Sequence, residues 1–209
     1  MFLGHFALGM LASRHEPKLP LGLAFVAAQL PDVLWPAMLL AGVERVTIEP
    51  GITAVTPLRF DHYPWSHSLL MVALWGAALM AVALALRVPK SAALLLAPLA
   101  LSHWVLDFVS HRPDMPLLPS GGPHLGLELW SSLPLTLAVE GTLFAAAVAL
   151  FARGRTVGKA FWGLVAFLVV AYASALFGPP PPSVTALAAT MLPVGPLLWW
   201  WGNVAGRAR

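Results

Sequence analysis

The chain contains no cysteine in 209 residues, which excludes a disulfide framework and any thiolate metal site. Charge is scarce as well: Asp, Glu, Lys and Arg make up 10% of the sequence, against roughly a quarter in an ordinary soluble domain. The net charge is +3, and its twelve Lys and Arg are scattered over loop positions rather than gathered in a stripe. That scatter excludes nucleic acid as a partner. The N-terminal MFLGHFALGM has no basic run ahead of its apolar residues, so it is expected to belong to the mature fold rather than to a cleaved signal.

Apolar residues fill the chain instead, at 59%, with a mean hydropathy of +0.80. Runs near the ~20 residues that a helix needs to cross a bilayer recur along it. The expected fold class is all-α: a polytopic membrane helical bundle of about six transmembrane helices plus a short N-terminal helix, forming one integral-membrane domain over 1–209. Spans are expected at 19–42, 65–87, 91–111, 132–152, 158–177 and 184–202, with 2–12 a helix too short to cross. Pro31 and Pro36 interrupt the first span. Such prolines kink a helix and free backbone carbonyls, which a membrane tolerates only against protein or water. Residues 43–64 and the Pro/Gly-rich 112–131 read as loops, and Pro179 to Pro182 as a rigid turn.

The cations orient this frame. Arg14, Lys18, Arg87, Lys90, Arg153, Arg155, Lys159, Arg207 and Arg209 fall on one side, and Arg45, Arg59 and Arg112 on the other. By the positive-inside rule the first side, with the C-terminus, is cytoplasmic. The expected location is the bacterial inner membrane, multi-pass, with the lipid bilayer as the immediate partner.

The acids and histidines then collect toward the outer half. Asp32 is past the middle of the first span, His62 and His67 flank the start of the second, and His103, Asp107 and His111 lie toward the outer end of the third. Glu140 is about two turns inside its span. A charged carboxylate at membrane depth costs about 3 kcal/mol even on lenient scales. All twelve Lys and Arg lie at span ends or in loops, so pairing with them is inadequate. A bound divalent cation neutralises two carboxylates and accepts neutral imidazole as well.

Helical spacing favours that answer. Positions 103, 107 and 111 in LSHWVLDFVSHRPDMP differ by four residues and so share one helix face. His103 and Asp107 can share an ion as i and i+4 ligands do in zinc helices; a satisfied His–Asp hydrogen bond in the bundle core is the bland alternative. In FDHYPWSHSLL, Ser66 or Ser68 would cap or orient the start of the span and His67 would point inward as a ligand. Asp61 is either a ligand or an acid near a helix N-terminus, and His62 is either a possible ligand or hydrogen-bond partner of one, or an interfacial loop histidine. Asp32, just after Pro31 in AQLPDVLWP, is a functional candidate by its depth; a protonated Asp hydrogen-bonded across helices is the bland alternative. In GHFALG, Gly4 and Gly9 allow close packing, and His5 is a ligand or an interfacial residue. Glu140 is a possible ligand, a hydrogen-bond acceptor from a ligand histidine, or a base.

With GHFALG, LPDVLWP, PWSHSLL and SHWVLDFVSHRPDMP in place, the chain resembles the small bacterial inner-membrane proteins known as predicted metal-dependent hydrolases. It carries DHYPWSHS where those proteins have a His-Arg-Gly run before Thr-His-Ser. The order of the motifs is also similar to the ligand order of the zinc-dependent phospholipase C and nuclease group, although the later His-x-x-x-Glu pair of that group is absent. The resemblance implies His5, Asp32, His67, His103 and Asp107 as metal ligands, with Asp107 bridging and His111 a further ligand.

The expected function is thus a membrane-embedded, metal-dependent hydrolase with one or two Zn2+ or similar ions in the outer half of the bundle. The ion would lower the pKa of a bound water and polarise a phosphoryl or carbonyl oxygen. Asp61, His111 or Asp114 would act as acid or base. A site at headgroup depth suits a phosphoester in a lipid or lipid-linked substrate. The alternatives are an ion- or proton-coupled transport protein and a purely structural metal. An open ligand position distinguishes catalysis from structure, and the almost purely apolar cytoplasmic half of each span weighs against a transport path.

Overall fold

Apolar runs set the helices of this protein, and prolines and small polar residues set their breaks. The computed structural model describes residues 1–207; Arg209, one of the charges used to orient the chain, lies outside them. Helix α1 (Phe2–His15) is about 21 Å long at 1.5 Å per residue, short of a ~30 Å hydrocarbon core. It is apolar nearly all round and lies inside the bundle, with Leu3, His5, Phe6, Ala7 and Met10 all buried. Helices α2 (Leu21–Ala28) and α3 (Leu30–Leu40) follow, bent from one another by 57°. Pro31 lacks the N–H that would continue the ladder, so the expected kink falls there, whereas Pro36 lies inside α3 without breaking it.

The second expected span is divided. A single turn, α4 (Pro64–His67), ends at Ser68, whose extended backbone starts α5 (Leu69–Ala85). The Ser68 hydroxyl accepts the Met71 amide at 3.3 Å, an N-cap that fixes where α5 begins. Helices α6 (Lys90–Leu94) and α7 (Leu96–Ser110) run on as one segment, α8 (Leu133–Ala152) and α9 (Lys159–Phe177) are long, and α10 (Val184–Met191) with α11 (Val194–Ala205) forms the last. Among the described residues four segments are long and apolar enough to cross a membrane: Lys90–Ser110, Leu133–Ala152, Lys159–Phe177 and Val184–Ala205. The bent α2–α3 pair makes up to five. The sixth expected span is the shorter apolar helix α5, of 17 residues after the Ser68 break. The class is as expected, an all-α polytopic membrane bundle.

Both expected loops hold small antiparallel sheets. Strands β1 (Arg45–Ile48) and β2 (Leu58–His62) pair as a hairpin; Leu58 and Phe60 turn inward while Arg59 and Asp61 are exposed, the alternation of a half-solvated ribbon. Strands β3 (Met115–Pro116) and β4 (His124–Leu125) pair in the second loop. That loop then folds back over the end of α7, where Leu127 and Glu128 donate their amides to the Phe108 and His111 carbonyls at 2.8 Å each, satisfying groups that a helix end leaves open.

An aromatic core of Phe6, Phe25, Phe144, Phe151 and Phe161 surrounds one side of α1. A second core, of Ala24, Ala27, Ala28, Ala83, Ala92 and Ala93, brings α2, α5 and α6 close. Small residues serve the same end between α2 and α11, where a Cβ added at Gly202 would lie 2.7 Å from the Gly22 Cα; the two backbones touch, as small-residue crossings in membranes allow.

Candidate metal centre

The break at Pro31 builds one wall of the site. It leaves the Ala28 carbonyl to accept from His103 Nδ1 at 2.8 Å, and it places Asp32 in the first turn of α3. A carbonyl oxygen can only accept, so Nδ1 of His103 carries the proton and Nε2 of the neutral ring presents a lone pair. That Nε2 lies 2.9 Å from Asp107 Oδ2 and 3.9 Å from Asp32 Oδ1. It is buried with no hydrogen-bond partner among the described residues. A second proton on the ring would make Nε2 a donor, yet it makes no aligned bond to either carboxylate. His103 Nε2 is therefore the common neighbour of two carboxylates, and a cation beside it would relieve the crowding of acceptors there.

His67 approaches from the opposite side. Its Nδ1 lies 2.6 Å from Ser66 Oγ, which is itself 2.6 Å from Glu44 Oε2. The Glu44 carboxylate accepts only, so the single hydroxyl proton of Ser66 points to it, and Ser66 in turn accepts from His67 Nδ1–H. In the neutral ring this leaves His67 Nε2 as the lone pair, 3.4 Å from Asp32 Oδ1. Glu44 is buried and its other oxygen takes the Ser66 amide at 2.8 Å. Sequence reasoning missed Glu44; an acid 22 residues before its serine partner carries no local signal.

His5, from α1, lies face to face with His103, ring centroids 3.8 Å apart, and its Nε2 is 3.1 Å from Asp107 Oδ1. The N-terminal amine of Met1 contacts the same oxygen. The two oxygens of Asp107 thus address different histidines. Two overlapping donor groups result, His5–His103–Asp107 and Asp32–His67–His103, each with its ligand atoms within 4.8 Å of one another. Ligand atoms bound to one ion at 2.0–2.2 Å lie roughly 3–3.5 Å apart, close to these separations. Nitrogen and carboxylate oxygen without thiolate suit zinc or a similar divalent ion.

A cavity of about 570 Å³ adjoins the cluster, with Asp32, His67, Asp107, His111 and Glu140 on its polar side. The Asp32 side chain is 36% accessible and that of Asp107 4%, so Asp32 is the group at the mouth. His111 caps α7 and places Nδ1 3.0 Å from Asp114 Oδ1, leaving its other nitrogen for the cavity. Tyr63 donates to the same oxygen at 3.0 Å. Burial, with the Asp114 charge beside it, holds the Tyr63 phenol well above its ordinary value of 10.0, so it remains a donor. Glu140, fully buried on α8, accepts the Leu3 amide at 2.6 Å, fixing the N-terminus of α1, and hence His5, by an anion at a helix start.

The structure does not bring Asp61 or His62 into the cluster. Asp61 is committed to the hairpin, accepting from Thr47 Oγ1 at 2.6 Å and Arg59 Nε at 2.8 Å. Burial alone would raise its carboxyl, but those two donors outweigh it and hold it below the ordinary 3.8. His62 pairs opposite Arg45 and with Asp61 lines a separate groove of about 350 Å³. Of the three acid–base candidates, His111 and Asp114 therefore stand together and Asp61 apart.

Fold and cluster together define a class: an integral-membrane helical bundle with buried His/Asp groups that could hold a metal ion. Within that class the chain belongs to the YdjM inner membrane protein family, whose model matches residues 1–179. No curated protein and no solved structure matches it. Every residue of the cluster lies inside the matched segment, whereas α10 and α11 lie beyond it.

Proposed function

We propose that this protein is a metal-dependent hydrolase acting on a phosphoester in a lipid or lipid-linked substrate, as a single integral-membrane unit. The observation that carries the reading is the approach of His103 Nε2 to the Asp107 and Asp32 carboxylates and of His67 Nε2 to Asp32, beside a mostly apolar cavity. Asp32, His67, His103 and Asp107, with His5 behind, would hold one or two zinc-type ions. When bound, such an ion supplies Lewis acidity toward a water and toward a phosphoryl oxygen. The accessible Asp32 side chain supports a site with an open position, hence catalysis rather than a structural staple.

The chain's own residues account for the proton traffic. Asp114 orients His111 through Nδ1, so the other imidazole nitrogen takes a proton from the attacking water and returns it to the leaving oxygen. Tyr63 and Arg112 keep Asp114 in place, at 3.0 and 3.5 Å. Asp61 has no part in the step. The cavity wall of Phe2, Trp35, Leu58, Phe60, Leu176 and Leu187 excludes bulk water from the reacting bond. By the positive-inside reading the site faces the outer leaflet and the C-terminus the cytoplasm.

The test is metal analysis of protein purified without chelator, followed by a phosphodiesterase assay. About one or two zinc-like ions per chain are expected for two overlapping His/Asp groups, with activity lost to a chelator and restored by Zn2+. A metal-free wild type with no phosphodiesterase activity on Zn2+ addition overturns the proposal.

A further inference from the structure

The metal-site cavity shares part of its wall with a second, smaller one. This slot of about 170 Å³ is lined by Phe6, Val33, Phe167, Leu168, Val194 and Leu198, and it shares Phe2, Asp32, Ala171 and Met191 with the first cavity. One end is therefore a carboxylate of the candidate metal centre. The rest is hydrocarbon, set between α9 and α11 with α1 and α3 behind. Both α9 and α11 belong to segments apolar enough to span the membrane, so the surrounding solvent is acyl chain. Phe167 is 36% exposed at the slot's edge while Leu168 is buried at its floor, so the slot runs from the lipid-facing surface of α9 inward.

We propose that this slot receives one acyl chain of a bilayer phospholipid whose phosphoester headgroup seats at the Asp32–His67–His103–Asp107 cluster. The inference rests on the hydrolase reading for its headgroup end and adds the substrate class and the direction of entry, laterally from the bilayer between α9 and α11. Three observations support the choice of occupant. The slot and the site share Asp32 as a wall, so one amphipathic molecule with its headgroup at the cluster has the slot beside it. Its small volume between two helices suits an unbranched chain better than a branched polyprenyl one. Its polar content is limited to Asp32, shared with the first cavity, and Gln29, so the rest of its wall suits an apolar chain. The wall given by Val194 and Leu198 comes from α11, beyond the matched residues 1–179, whereas Phe6, Val33, Phe167 and Leu168 lie within them.

The protein is placed in nanodiscs of phosphatidylethanolamine and phosphatidylglycerol containing a phosphatidylglycerol with a mid-chain diazirine. After irradiation the labelled residues are mapped by mass spectrometry. Label is expected on Phe167, Leu168, Val194 and Leu198 above the outward-facing Val169 and Val170. Val194→Trp, which fills the slot, is expected to lower slot labelling about tenfold, the size of losing one chain contact worth ~1.4 kcal/mol, while metal content stays at the wild-type level. Labelling spread evenly over the lipid-facing helix surfaces, with the slot unmarked, overturns the proposal. So does displacement of the label by undecaprenyl phosphate but not by unlabelled phosphatidylglycerol. Mapping on the wild type decides the matter even if Val194→Trp does not fold. Labelling needs neither metal nor turnover, so a labelled slot in a metal-free, inactive protein refutes the hydrolase reading alone, and an unlabelled slot in an active enzyme refutes the slot alone.

Discussion

Replacing Glu44 by Gln should weaken metal binding although Glu44 touches no ion. Both of its oxygens accept in the native protein, one from the Ser66 amide at 2.8 Å and one from the Ser66 hydroxyl at 2.6 Å. Gln keeps the shape but offers one acceptor and one NH2. If its oxygen stays on the Ser66 amide, its NH2 donates to the Ser66 hydroxyl. That hydroxyl must then donate to His67 Nδ1, 2.6 Å away, and the imidazole proton moves to Nε2, the atom that faces Asp32. The flipped amide instead sets NH2 against the Ser66 N–H, two donors in contact. Either way the ligand tautomer loses its support. Losing such an outer partner of a ligand histidine costs about 10–100-fold in metal affinity, or about 1.4–2.7 kcal/mol. The assay is Zn2+ competition with a chromophoric chelator in detergent, with apo-protein thermal unfolding as the control for folding. Ser66→Ala should give a loss of the same order, and the Glu44→Gln, Ser66→Ala double variant little more than either alone, since both break one chain of hydrogen bonds. An affinity within twofold of wild type for Glu44→Gln, alongside a clear loss for Asp107→Asn, would refute the tautomer reasoning.

Asp107→Ala should abolish stoichiometric metal, since it removes oxygens facing both His5 and His103; elemental analysis of the purified variant checks this. His111→Gln should lower hydrolysis about 10²–10⁴-fold, the usual contribution of a positioned acid–base group, with metal content unchanged. The β1–β2 hairpin should loosen in acid. The folded-state pKa of Asp61 is depressed, so its contribution is complete above the ordinary 3.8 and lost as pH falls below it. The effect is small because the Arg59 pair is exposed and screened, and it is read by amide exchange of the strand residues. A reporter fused to the C-terminus should read as cytoplasmic; a periplasmic signal would reverse the side on which the cavity lies.

Composition and spacing determined the class of this protein. A chain with so few charges and so many long apolar runs can satisfy its backbone in lipid only as helices, and the four-residue step of His103 and Asp107 put both on one face whatever the rest of the chain did. Pro31 announced the break in the first span because it cannot donate. The sequence offered Ser66 and Ser68 alike as caps and could not choose between them, nor show a separate turn before Ser68, since serine serves equally inside a turn or at a helix start. Nor could it assign Asp61, whose partners Thr47 and Arg59 are fixed by the register of a hairpin that read only as a loop. Glu44, the His67 tautomer and the wall shared by the cavity and the slot between α9 and α11 depend on side chains far apart in the chain meeting at one depth. Those meetings follow from how the helices cross, at contacts such as Gly22 against Gly202, and residue periodicity within a single helix carries no information about them.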